Sequence, residues 1–346
     1  QNSVKIRQIA DVPIAYFLSG GVDSSSILQS AYETSDEKIN SYSVTHQNKK
    51  YDESVWSDIV ANKFETNHHT ENMTKNIEIE LINEALHSID QPYFDPSVVP
   101  SFILSNMISK NYKVAISGDG GDELLCGYER VIKSHTINQR SNMAKYLFKF
   151  YPAFLGTGNK ILRYSKDISE SYWSFHEDLK LMKLLKLKPN QSYKDKYSPH
   201  PVQSLKELMC IDYKFYLSEM MLFKVDRTSM ANSLEVRSPY LDYRLIEYVF
   251  KSNLDYIDHS QPKKIMKNYL SSNFDAEFLN RPKQGFVFDV EKWVYKNISY
   301  IENELKGSII NEYNKKIINT LSINKSRING IRIWKLFVLS EFMKRL

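Results

Sequence analysis

Short apolar runs that end on glycine alternate with helix-length amphipathic segments along the first third of the chain. Residues 14–18 (IAYFL) form a continuous apolar run closed by Ser19, Gly20 and Gly21, the pattern of a buried strand. Residues 24–35 follow as a helix whose first turn is rich in hydroxyls. Residues 39–46 (INSYSVTH) carry β-formers and predict a second strand. Val55, Ile59, Val60 and Phe64 stand at helical spacing within 53–64, and 76–89 reads as a further amphipathic helix. Residues 112–116 (YKVAI) predict a third strand, again running into glycines. Strands spaced 25–40 residues apart with helices between them imply βαβ units, a parallel sheet and right-handed crossovers.

The pattern changes near residue 130. From 131 to 210, Lys, Leu and aromatic residues dominate (MAKYLFKFYPAFLG, LKLMKLLKLK) with helical spacing and no clear strand. The stretch 211–346 is also helical, broken by RSPYLD and NRPKQGFVF. The expected organisation is an α/β core over 1–130, a helical insertion over 131–210, and a helical region over 211–346. The last completes a site at the carboxyl edge of the sheet, where open α/β sheets bind ligands. The lysine-rich segment reads as an amphipathic helix with a solvated face.

Composition narrows the picture modestly. With 46 basic and 41 acidic residues in 346, the net charge of +5 is too mild to argue for nucleic acid. Two distant cysteines, Cys126 and Cys210, exclude a disulfide framework or thiolate zinc site and fit a reducing cytoplasm. No apolar stretch reaches the length of a membrane span. The chain opens at Gln1 with a polar, helix-like segment and no signal-peptide pattern, as expected of a piece of a longer protein.

Two loops carry chemistry. The first, SGGVDSSS (19–26), follows a buried strand and opens a helix. Its glycines permit positive φ and close approach of a ligand to the backbone, and the helix N-terminus offers unpaired N–H groups to an anion. Ser19, Ser24 and Ser25 add hydroxyl donors, and Asp23 is an acceptor-only group suited to Mg²⁺. The competing reading is a plain strand-to-helix turn with a serine cap. The string is neither a Walker A loop nor a G-x-G-x-x-G fingerprint. The second loop, SGDGGDE (117–123), also follows a strand and sets Asp119, Asp122 and Glu123 within five residues. Carboxylates so close repel one another unless a cation compensates them. The competing reading here is an acidic, solvated turn.

The string SGGVDS resembles the PP-loop of the ATP pyrophosphatases, which hold the pyrophosphate part of ATP. FLSGGVDSS, YSVTHQNKKYDES, IDQPYFDPSVVPSFILS, VAISGDGGDELLCGYER, FKVDRTSMANSLEVRSPYLDYRLIEYV and NRPKQGFVF then follow in the order and approximate spacing of a known family. It is the synthetase domain of asparagine synthetase-like, glutamine-hydrolysing amidotransferases. The resemblance runs from about residue 4 to 297 and is weakest in 131–210 and after 300. It implies a parallel-sheet PP-loop core, Rossmann-like and akin to adenine nucleotide α-hydrolases, with a large helical half. It implies ATP and Mg²⁺, with a carboxylate attacking the α-phosphorus to give an acyl-AMP that ammonia then converts to the amide.

Residue by residue, the resemblance places Leu18, Ser19, Gly20, Gly21, Asp23 and Ser24 around ATP, with Val44 against adenine and Ser117 and Gly118 on the nucleotide. Asp23 and Asp122 become Mg²⁺ ligands. Asp119 stands where asparagine synthetases proper usually carry Glu, a residue that aids acyl-adenylate formation, so acceptor identity is open there. Lys283 would neutralise charge on the α-phosphate and leaving pyrophosphate. Glu235 is the preferred acid for orienting substrate or taking a proton from ammonia, although an ion-pair lattice with Asp226, Arg227 and Arg237 is the competing reading. Asp52 and Glu53 fall near the nucleotide loops or cap the next helix. His68 and His69, adjacent in an extended segment, point to opposite faces and read as structural.

The commonest activity with this motif set is asparagine synthesis from aspartate, with ammonia from an N-terminal glutaminase domain that this sequence lacks. One alternative keeps the chemistry but takes another carboxylate, such as a sugar uronic acid. A more distant one is a PP-loop tRNA-modifying enzyme. Expected partners are a small carboxylate, ammonia and the glutaminase domain of the full-length protein, with no membrane and no nucleic acid. A homodimer is compatible with a sequence that does not decide oligomeric state.

Overall fold

The computed structural model describes residues 1–46, 52–73, 77–137, 140–198, 200–252, 262–281, 288–306, 311–323 and 325–346. Contacts divide the chain into two compact units. One comprises Gln1–Ile89, Ser97–Tyr128 and Phe215–Phe288; the other comprises Asp90–Pro96, Glu129–Lys214 and Asp289–Leu346. The stretch 211–346, one region by sequence pattern, is thus shared between them, with residues up to 288 joining the sheet.

The first unit holds a five-stranded parallel sheet in the order β3-β2-β1-β4-β5. Its strands are β1 (Ile14–Phe17), β2 (Asn40–Thr45), β3 (Asn67–Asn72), β4 (Val114–Ile116) and β5 (Glu235–Arg237). The segments 14–18, 39–46 and 112–116 predict β1, β2 and β4. Helices α1 (Asn2–Arg7), α2 (Val22–Thr34), α3 (Ser54–Lys63), α4 (Ile79–His87), α5 (Val98–Ser109) and the short α6 (Gly121–Leu124) lie between or before them.

Alternation along the central strands sorts side chains to two buried faces. Tyr16, Leu18 and Ile116 pack with Ile27 and Leu28 of α2, Val60 of α3, and Leu270, Phe274 and Phe278. Ala15, Tyr42 and Ala115 pack instead with Leu104 and Ile108 of α5 and with Leu234. Each large apolar side chain so buried contributes about 1.5–3 kcal/mol relative to exposure. Helix α3 buries a narrower stripe than its spacing predicts: Val60 and Phe64 are buried, whereas Val55 and Ile59 are exposed.

The second unit is helical in its described residues. Two arginines anchor it, Arg332 buried and Arg130 half-buried. Arg332, on the helix Arg327–Met343, donates to both carboxylate oxygens of Asp178 (2.6 and 2.9 Å) and to the carbonyls of Ala153 and Gly156 (2.6 and 3.1 Å). Arg130 grips buried Asp212 through two nitrogens, and the Tyr172 hydroxyl donates to the same carboxylate at 2.7 Å. No helix among the described residues is long and apolar enough to cross a membrane.

Candidate active site

The strand order reverses direction between β1 and β4, and such a switch point leaves a crevice at the carboxyl ends of the two strands. Their register is close: Tyr16 stands opposite Ile116, so Leu18–Gly21 and Ser117–Gly120 leave the sheet at the same height. The structure thus brings the two Ser-Gly-acid loops together. A Cβ added at Gly118 would lie 3.0 Å from the Ser24 nitrogen and 3.2 Å from the Asp23 Cβ, so the second loop rests directly on the first.

Backbone geometry shapes the first loop. Gly20 has φ +72, and a Cβ there would come within 2.5 Å of the Ser57 nitrogen and the Trp56 carbonyl carbon. Gly21 precedes α2 with no side-chain cap on it, and the helix starts with Ser25 N donating to the Gly21 carbonyl at 2.9 Å. A first turn without a capping side chain and with small residues around it is what an anion needs. Ser24 donates to the Gly21 carbonyl (3.2 Å) and lies 3.2 Å from the Ser19 hydroxyl, which also accepts from Gly21 N. Leu18 is buried and held to β2 through the Tyr42 carbonyl. Arg281 braces the loop from outside, donating to the Gly20 carbonyl at 2.8 Å and pairing with Glu53 at 3.1 Å. Gly20→Ala should therefore cost about 1–3 kcal/mol of stability through forced backbone strain. Urea unfolding checks this.

Two of the acidic residues, Asp23 and Asp122, converge on one cation. Lys263 Nζ pairs with Asp122 Oδ1 at 2.6 Å and with Asp23 Oδ2. Its side chain is only 8% exposed. Burial alone would lower the Lys263 pKa, but the carboxylates of Asp122 and Asp23 outweigh it and hold it above its ordinary value. Tyr240 closes the cluster from below: its hydroxyl bonds the Ser26 hydroxyl and donates to the Asp23 carbonyl at 3.3 Å. Burial, then the neighbouring Asp23 and Asp122, push the Tyr240 phenol well above its ordinary value, so it stays neutral. Asp119 takes a separate course, accepting from the Ser117 hydroxyl at 2.8 Å, and Ser117 in turn lies 3.0 Å from Ser238.

This donor set fits a magnesium ion. Asp23 and Asp122 reach a single position that a positive nitrogen already fills. Among the described residues no group of three or more His, Cys, Asp or Glu is placed to hold a metal. Two carboxylates with water and phosphate oxygens are a usual Mg²⁺ shell.

Other expected residues are dispersed. Val44 lies near the end of β2, half-buried, and packs on the α5 side of the sheet. Glu235 does not join the site: it opens β5 opposite Val114, at the amino end of the strands, where it is exposed and paired with Arg237 at 2.6 Å. Parallel pairing puts the first residue of β5 at the edge opposite the loops. Asp226 and Arg227 are exposed on the helix Phe223–Met230, away from any ion pair with Glu235 in the described contacts. Asp52 caps the start of α3, accepting from Ser54 N and hydroxyl, while Glu53 serves the Arg281 brace. His68 bonds Ser41 and Ser43, and His69 stacks on Tyr42, a structural use of both. Lys283 lies outside the described residues.

Sequence reasoning gave no role to Lys263, Tyr240 or Arg281. Tyr240 and Arg281 lie in the quoted stretches RSPYLD and NRPKQGFVF, which could have drawn attention to them, whereas proximity in the fold marks Lys263, which stands 240 residues from Asp23.

Fold and loops together define an α/β protein with two paired, glycine-shaped loops at the carboxyl ends of β1 and β4 and two carboxylates on a common cation position. A family model described as asparagine synthase matches residues 1–317, and the chain belongs to that family. The chain is 26% identical over 334 residues to asparagine synthetase (glutamine-hydrolyzing) 1 of Bacillus subtilis (strain 168), covering 90% of this chain and 52% of that protein. Asparagine synthetase (glutamine-hydrolyzing) 3 of the same organism is 26% identical over 311 residues, covering 83% and 47%. A Methanocaldococcus jannaschii protein is 35% identical over 147 residues, covering 42% of this chain and 28% of its own. The chain spans about half the length of the two Bacillus relatives.

Proposed function

We propose that this chain joins ammonia to a carboxylate at the expense of ATP. In the first step a carboxylate oxygen attacks the α-phosphorus, forming the acyl-AMP and releasing pyrophosphate. In the second, ammonia attacks the acyl carbon, the amide forms, and AMP leaves with the oxygen that joined it to the acyl group. The observation that carries this reading is the pairing of the two loops at the β1/β4 crevice, with Asp23 and Asp122 on one cation position.

Leu18, Ser19, Gly20, Gly21 and Ser24 cradle the phosphates, Ser117 and Gly118 hold the nucleotide from the facing loop, and Val44 is the adenine contact. Mg²⁺ held by Asp23 and Asp122 would neutralise phosphate charge and template the leaving pyrophosphate. Lys283 adds positive charge at the α-phosphate, and Asp119 acts in acyl-adenylate formation. Glu235 has no place in this scheme. Aspartate is the proposed acceptor, in a reducing cytoplasm. In the longer protein a glutaminase domain supplies ammonia, and this chain alone uses ammonia from solution.

A second acceptor class is favoured by one observation. Asp119 stands where asparagine synthetases proper usually carry the longer Glu, and its carboxylate accepts from the Ser117 hydroxyl at 2.8 Å, which bears on the acceptor's identity and brings in another acid such as a sugar uronate. Pyrophosphate release from Mg·ATP and ammonia, measured with aspartate, uronic acids and tRNA in parallel, separates these readings. Stimulation by aspartate alone is expected. Stimulation by a uronate but not aspartate selects the second reading, and stimulation by tRNA alone removes both.

A further inference from the structure

We propose that Lys263 is a built-in counter-ion that occupies the cation position between Asp23 and Asp122 and competes with Mg²⁺ for it. The inference rests on the ATP-site reading above. Two carboxylates that face each other in a buried site repel strongly, and a protein that kept them bare would lose stability. Here one ammonium serves both: Nζ is 2.6 Å from Asp122 Oδ1 and also pairs with Asp23 Oδ2.

The surrounding backbone is shaped to deliver it. Lys263 has φ +60, a left-handed conformation that non-glycine residues rarely adopt, just before the helix Lys264–Leu270. A Cβ at Gly127 would stand 2.1 Å from Asp122 Oδ1 and 2.2 Å from the Lys263 Cε, so a side chain there would push the two partners from their present positions. Likewise a Cβ at Gly121 would stand 2.6 Å from Asp23 Oδ1. Side chain, strained backbone and two glycines all serve the same contact.

The consequence concerns order of binding. A free Mg²⁺ ion must evict the ammonium to reach its carboxylates, so the protein alone binds the ion weakly. A Mg²⁺ ion arriving on ATP brings phosphate contacts with it and displaces the lysine more readily. Lys263 thus biases the site toward the Mg·nucleotide complex over the bare metal.

The test is a calorimetric titration of Mg²⁺ into the nucleotide-free chain. Lys263→Gln removes the charge but can still hydrogen-bond both carboxylates, and it is expected to bind Mg²⁺ at least tenfold more tightly than wild type. Its melting temperature should be lower than wild type in EDTA and should rise more on adding Mg²⁺. Lys263→Arg, which keeps the charge, should bind Mg²⁺ as weakly as wild type. Equal or weaker Mg²⁺ binding by Lys263→Gln, with circular dichroism unchanged, overturns the proposal. If Lys263→Gln fails to fold, tight binding of free Mg²⁺ by wild type that Asp23→Asn abolishes overturns the proposal equally, because such binding needs carboxylates that the lysine does not hold. ATP binding by wild type, measured separately, tests the functional reading itself; its loss leaves the metal comparison standing.

Discussion

Asp122→Asn is expected to lower ATP-dependent pyrophosphate release by about 10²–10³-fold, the usual cost of removing one charge-stabilising group from a preorganised site. The same change should leave the melting temperature unchanged or raise it. Asp23 and Asp122 are held side by side on the buried Lys263 ammonium, and two carboxylates so close repel one another. Asparagine keeps the size of the side chain, removes that repulsion and leaves the Lys263–Asp23 pair in place. Activity and stability therefore move apart, as they do where a site is electrostatically strained for function. Kinetics and thermal melts on one preparation check this, and a parallel fall in both would place Asp122 in the scaffold rather than the site.

Asp178→Ala should cost about 3–5 kcal/mol, the largest stability effect expected in the described residues, because it leaves the fully buried Arg332 guanidinium without its anion. Burial by itself would raise the Asp178 pKa, but hydrogen bonds and charge from Arg332 dominate and hold it below the ordinary carboxylate value. A carboxyl whose folded pKa is depressed contributes stability above its unfolded pKa, near 4, and loses that contribution as pH falls through the folded value. Wild type should therefore lose stability on the acid side more steeply than Asp178→Ala. Urea unfolding at several pH values between neutrality and pH 3 reads both the cost and the slope.

What could be read in the chain follows from how each element is held. Strands β1 and β4 are central, so their apolar runs stand out and the glycines that follow mark the loops, while β2 shows through its β-formers alone. β3 reads NHHTEN, with no apolar run, since it lies at the sheet edge and its histidines are satisfied by Ser41, Ser43 and Tyr42. β5 is three residues long, too short to show a period. Asp23 and Asp122 are legible because each sits in a local motif. Lys263 is not, because it reaches the same spot from a distant segment with no local signature, and Tyr240, although within RSPYLD, carries nothing in its own neighbourhood that points to Asp23. Glu235 shows the converse error: its chemistry suits the site, but strand register carries it to the far edge.

The central claim is that the paired loops direct a carboxylate onto the α-phosphorus of ATP. Labelling both carboxylate oxygens of the stimulating acceptor with oxygen-18, and following products by phosphorus NMR and mass spectrometry, tests it most directly. One labelled oxygen is predicted in the phosphoryl group of AMP, with unlabelled pyrophosphate released in equal amount. Label in inorganic phosphate alongside ADP would mean attack at the γ-phosphorus and would contradict the account.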